Sequence, residues 1–253
     1  MPLQAAAATW LWDPVTDPGT MITFLRAWGV REAFVTVPWT GPDPTVVATV
    51  TALRTAGFAV SCLGGNHDWA EKPDLAGMWV TRTVTTGLFT GIHLDIEPWT
   101  QCRWDGREDE LLAGIVLAVE AAADQVGAES DDRVPVDVDL PAWVAIDHPA
   151  AFSRIARAAD RLTILAYRDR AATILSFAAA GQRLSTAARC AYRIAVETRP
   201  SPEPHTTFAD DGIHVLRGEL TLLASSLADD PDSRGIAVHD LTGWQALDAA
   251  GGS

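Results

Sequence analysis

The chain has 253 residues, a formal net charge of −14, and hydrophobic and charged fractions of 48% and 21%, the balance of a globular protein rather than a disordered one. Such acidity repels polyanions and excludes nucleic acid as a natural partner. Cys62, Cys102 and Cys190 are too few and too scattered for a disulfide framework or a metal knuckle. No apolar run approaches a membrane span and no signal-peptide pattern opens the chain, so a cytoplasmic protein is expected.

Taken in order, the sequence alternates short apolar runs with longer helical patterns. Strand candidates fall at residues 8–14, 31–39, 58–65, 91–98, 134–143, 161–169, 193–200 and 235–244. Between them, residues 20–29, 44–57 and 108–127 repeat apolar side chains every three or four positions and end near glycine, as amphipathic helices do. Residues 151–160, 172–189, 215–230 and 242–250 continue the pattern, and 73–86 is a weaker helix. Eight strand–helix units in this length predict one (β/α)8 TIM barrel spanning residues 1–253, since the barrel needs about 250 residues. A doubly wound open sheet is the alternative, but no G-x-G-x-x-G loop follows the first strand.

In such a barrel the chemistry sits where the strands end. Asp95 and Glu97 end the fourth strand, Tyr167 and Asp169 the sixth, Glu197 the seventh, and His239 and Asp240 the eighth, while the third runs into Asn66, His67 and Asp68. Side chains alternate faces along a strand. Ile92, Leu94 and Ile96 therefore face helices, and Gly91, His93, Asp95 and Glu97 face the barrel interior. Buried polar groups need partners or water, so this row is either a ligand site or a polar plug, with His93 the deeper member.

Ten tryptophans are unusual in this length. Trp12, Trp39, Trp69, Trp99, Trp143 and Trp244 fall at or past expected strand ends, and Trp104 lies in the loop after the fourth. A flat ligand stacks well on such rings, with Trp99, Trp69 and Trp244 the first candidates and Trp12 beside them. Trp10, Trp28 and Trp79 read as packing residues. His67, Asp68, Asp95, Glu97, Glu197 and His239 also form a possible divalent-metal set, although the H-x-H pair usual on the first strand of such barrels is missing. No cofactor motif and no G-x-S-x-G elbow occur, so no cofactor and no metal are expected.

The segment TGIHLDIE resembles the fourth-strand signature of family 18 chitinases, Asp-Gly-x-Asp-x-Asp-x-Glu, with Gly91, Asp95 and Glu97 matching and Thr90 and His93 replacing the first two acids. LAYRD resembles the family's Met-x-Tyr-Asp element, Tyr167 matching. A pattern of DIEP (95–98), AYRD (166–169), VET (196–198), TTFAD (206–210) and AVHD (237–240) is similar to uncharacterised bacterial barrels described as glycoside-hydrolase-like. The resemblance implies that Glu97 is a general acid, that Asp95 holds the group assisting the reaction, and that Tyr167 supports it. A second arrangement pairs Glu97 with Glu197 as acid/base and nucleophile, since retaining glycosidases place carboxyls after strands four and seven. His93, His67, Asp169 and His239 join the tryptophans as expected substrate contacts. The expectation is a glycosidase-type hydrolase of a sugar-containing small molecule. A non-hydrolytic enzyme of a cytoplasmic metabolite and an inactive carbohydrate-binding barrel remain alternatives.

Overall fold

A computed structural model describes residues 6–13, 15–126, 133–203 and 205–251. Pro14 and Gly127, the expected ends of the first strand and of the helix at 108–127, lie outside them. The chain runs β1 (Ala8–Leu11), α1 (Pro18–Ala27), β2 (Glu32–Thr36), α2 (Pro44–Thr55), β3 (Ala59–Gly64), α3 (Asp74–Val84), β4 (Gly91–Leu94) and α4 (Glu108–Gln125). It continues through β5 (Val136–Pro141), α5 (Ala142–Asp147), α6 (Pro149–Ala158), β6 (Arg161–Leu165), α7 (Ala171–Ala188), β7 (Ala191–Glu197), α8 (Ile213–Leu227), β8 (Ser233–His239) and α9 (Leu241–Gly251). The eight strands are parallel and close in sequence order, β8 pairing with β1, to give a (β/α)8 TIM barrel. No described helix is long and apolar enough to cross a membrane.

Local chemistry sets the helix starts. Asp17 and Asp43 cap α1 and α2, each accepting two backbone N–H bonds, with Pro18 and Pro44 just inside. The departures from the sequence reading are at strand ends: β4 stops at Leu94 and leaves Asp95 and Glu97 in the following loop, residues 241–244 open α9 instead of ending β8, and residues 142–143 open a short helix instead of ending β5. Pro149, which has no N–H to continue that helix, starts α6.

Two apolar layers result. The larger packs strand residues such as Val60, Ile92, Leu94, Val138 and Val196 against the helices. The smaller fills the barrel with Ala8, Trp10, Phe34, Leu63, Leu165, Ala195 and Ala237. Below it, at the N-terminal ends of the strands, Arg193 and Arg161 meet Glu32 at 2.6 and 3.0 Å and Asp137 at 3.4 and 2.7 Å. Burial opposes the Glu32 charge, but the two guanidiniums outweigh it and hold that carboxyl below its ordinary range. The lower end of the barrel is thus plugged by an ion cluster, and the open end is the upper one.

Candidate active site

The middle of the barrel is built upward from β4. His93, fully buried, stacks on Phe34 with ring centroids 3.7 Å apart and meets Asp139 of β5 through Nε2 at 2.7 Å. The second Asp139 oxygen accepts the Trp10 indole N–H at 3.0 Å. His93 therefore lies beneath the cavity, outside its lining, and anchors its floor through Asp139. Its other ring nitrogen has no hydrogen-bond partner.

Above that floor lies a cavity of about 620 Å³ lined by Asp95, Glu97, Asp139, Tyr167, Glu197 and His239. Trp10, Trp12 and Leu165 complete its inner wall, and Asp13, Asn66, His67, Thr100 and Arg199 its rim. Gly65 lets the loop after β3 approach β4, because a Cβ there would collide with the Asp95 carbonyl oxygen. Asn66 accepts the Asp68 N–H at 2.9 Å, shaping the short 3-10 turn His67–Ala70 that presents His67. On the opposite rim Arg199 bonds Asp240 at 2.5 and 2.8 Å and Asp13 at 2.8 Å, tying the loops after β7, β8 and β1 together.

The carboxyls differ in character. Burial, then the nearby Asp139 and Glu97 charges, push the Asp95 pKa well above the ordinary range. Its Oδ1 has no protein partner. Burial and Asp139 likewise raise Glu97, against weaker downward pulls from His239 and the Trp99 indole. Tyr167 is held as the phenol by burial and by the surrounding carboxylates, Glu197 first. Both carboxyls therefore hold a proton to higher pH than ordinary ones do.

Glu197 is different. Its Oε1 accepts the backbone N–H groups of Thr198 and Arg199, both at 2.7 Å. His239 Nδ1 lies 3.1 Å from Oε1 and 2.9 Å from Oε2. Every one of these contacts uses it as an acceptor. The Trp12 indole N–H reaches His239 Nε2 at 2.9 Å, which assigns the neutral ring a proton on Nδ1. Burial works against a charged imidazole, but the hydrogen bond and charge of Glu197, with Asp240 and Asp139 behind it, raise the His239 pKa above the ordinary histidine value.

Of the residues expected from sequence, Glu97, Asp95, Tyr167, Glu197, His67, His239 and Trp12 thus line one cavity. The others lie apart. Trp69 is buried and lines a neighbouring cavity of about 360 Å³ with Trp39. Trp99 packs edge-on against Trp104 and Trp143, so its ring is spent on packing while its indole N–H serves Glu97. Asp169 is buried under His205, whose Nδ1 is 2.9 Å away. Trp244, fully buried on α9, packs on Phe24 and Trp28, outside the cavity lining. Among the described residues no group of three or more His, Cys, Asp or Glu side chains is arranged to hold a metal ion.

Sequence reasoning missed Asp139, whose charge raises two of the carboxyls, and the inward role of Trp10. The signal was present: Asp137 and Asp139 interrupt an apolar strand at a spacing of two, which puts both inside the barrel.

No family model and no curated protein sequence matches the chain. Solved structures do. An apo endo-beta-N-acetylglucosaminidase from Cordyceps militaris is 14% identical with a TM-score of 0.59, covering 97% of this chain and 89% of that one. A family 18 chitinase from Crocus vernus is 11% identical, TM-score 0.54, covering 98% and 100%. A putative alpha-L-fucosidase from Bacteroides thetaiotaomicron is 10% identical, TM-score 0.61, covering 93% and 85%.

Proposed function

We infer the function from the site together with a distant structural relationship, at low sequence identity, to family 18 chitinase-like TIM barrels, a fold shared with several enzyme families. We propose that the chain is a glycosidase-type hydrolase of a sugar-containing small molecule, with Glu97 as the general acid that protonates the leaving oxygen. The observation that carries this reading is the gathering of Asp95, Glu97 and Asp139 in one cavity at the upper end of the barrel, where burial and mutual charge favour the protonated forms of Asp95 and Glu97. A protonated carboxyl at a barrel mouth is what cleavage of a glycosidic bond requires. Asp95, neutral and with an unpartnered oxygen, hydrogen-bonds the substrate from below, and the Tyr167 phenol donates beside it. The cavity volume suits a ligand of one or two sugar rings. Asn66, His67, Thr100 and Arg199 offer hydroxyl partners, and Trp12 offers an aromatic wall.

The test is turnover of a panel of phenyl glycosides, unactivated at the leaving oxygen, of both anomeric configurations. Wild type is expected to release the aryl alcohol from at least one, and Glu97→Gln to lose about 10²–10⁴-fold of that activity, the usual worth of a positioned acid. Turnover unaffected by Glu97→Gln, or turnover only of substrates without a glycosidic bond, would refute the assignment.

A further inference from the structure

Glu197 and His239 have no part in that reading, yet they form a hydrogen-bonded pair in the cavity wall. They face each other across neighbouring strand ends in the β7–β8 register. Glu197 has Oε1 committed to two backbone N–H groups and to His239, and Oε2 to His239. An oxygen pair so engaged is a poor nucleophile and a good orienter. What it orients is an imidazole whose Nε2 carries a lone pair on the cavity side, where Trp12 donates to it.

Position in the barrel adds the second element. β4 and β8 are four strands apart in a closed ring of eight, so they stand on opposite sides of the mouth. Glu97 and His239 therefore approach the same cavity from opposite walls, close enough for the imidazole to act on the Glu97 charge. An acid on one wall and a base on the other, with room for water between, is the layout of single displacement.

We propose that His239, oriented by Glu197, is the general base of an inverting hydrolysis, resting on the reading of Glu97 as acid. A water oxygen attacks the anomeric carbon from the His239 side while its proton passes to Nε2. The bond from that carbon to the leaving oxygen breaks, its electron pair stays on the oxygen, and the oxygen takes the Glu97 proton. The imidazolium then releases its proton to solvent and Glu97 regains one. The attacking water must displace the Trp12 N–H from Nε2. Trp12 has space to yield, since it is the wall shared by the main cavity and neighbours of about 360 and 190 Å³. The groups facing His239 are Glu97 from β4, Asp139 from β5, Tyr167 after β6, Glu197 from β7, Asp240 beside it, and Trp10 and Trp12 from β1 and its loop. The carboxylates favour its protonated form, so the base is available only above its raised pKa and activity falls as pH drops through that value.

The experiment is proton NMR of a glycoside that wild type cleaves, recording which anomer of the sugar appears first, with kcat/KM against pH for wild type, His239→Gln and Glu97→Gln. Inversion is expected. His239→Gln, with its melting temperature checked, is expected to lower kcat by at least about 100-fold with little change in KM and to remove the acidic limb of the profile. Retention of configuration, a near-normal kcat in His239→Gln, or survival of the acidic limb would overturn the proposal. Retention by wild type overturns the proposal even if the variant does not fold. Turnover lost in Glu97→Gln but proceeding with retention removes only the His239 role, whereas no glycoside turnover by wild type removes the acid reading with it.

Discussion

At the scale of single residues, the site is a set of unlike carboxyls. Asp95 is the extreme case, half-buried, with Oδ1 enclosed and unpartnered and its pKa well raised. A carboxyl whose folded pKa exceeds its unfolded one binds more protons folded than unfolded between the two values. Stability is therefore full at low pH and lost as pH rises from the ordinary carboxylate range through the raised one. Asp95→Asn removes the titration. It is expected to match wild type in acid and to exceed it at neutral pH by on the order of 1 kcal/mol, about 2–4 °C in Tm for a chain of this size, while losing activity. Thermal melts from pH 4 to 8 check this, and equal gaps at all pH values would contradict it. The sequence made Asp95 and Glu97 conspicuous because they end a strand. It left Asp139 unremarked because that residue sits one layer lower, where its effect comes through space from β5 and from no motif.

At the scale of elements, strand parity was the part of the site most legible in the sequence. Alternation gives the inward direction of His93 within β4, and Asp95 and Glu97 keep it in the loop just beyond the strand, where both line the cavity. Tryptophan placement was not legible in the same way. Trp69, Trp99 and Trp244 all lie just beyond strands, but each belongs to a helical turn whose rotation, not its sequence position, decides which way the ring points. Trp244 turns into the layer between α1 and α9, and only Trp12, in an extended stretch directly after β1, keeps the inward direction. The loop after β3 holds its place by close approach. Gly65→Ala sets a methyl against the Asp95 carbonyl oxygen, so the loop or the end of β4 must move. Overpacking of this kind costs about 1–3 kcal/mol. The loss of glycosidase activity, measured per folded molecule, is expected to exceed tenfold because Asp95 and Glu97 shift with the backbone. A variant with lower Tm and unchanged kcat/KM would mean that the loop absorbs the strain alone.

At the scale of the whole molecule, the barrel separates stability from chemistry. The lower end is held by Arg161 and Arg193 between Glu32 and Asp137, with the Arg193 guanidinium also 4.9 Å from the Phe34 ring centroid. Arg193→Met leaves two buried carboxylates short of a partner, a change expected to cost about 3–5 kcal/mol. Urea unfolding measures it. The surviving folded protein is expected to keep its kcat, because the ion cluster lies below Trp10 and Phe34, away from the cavity. Alternation of eight strands with helices made the fold legible from end to end, and charge composition said nothing of this cluster, since its four members are far apart in sequence and meet only when β2, β5, β6 and β7 close the ring. Proton donation by Glu97 is the step on which the proposed hydrolysis depends. Its most direct test compares Glu97→Gln with wild type on two glycosides of one sugar, one with a dinitrophenolate leaving group and one with an alkyl alcohol. An alcohol needs the proton and dinitrophenolate does not, so the deficit is predicted to be at least about 100-fold for the alkyl glycoside and to shrink nearly to nothing for the dinitrophenyl one. An equal deficit on both substrates would contradict the assignment of Glu97 as the acid.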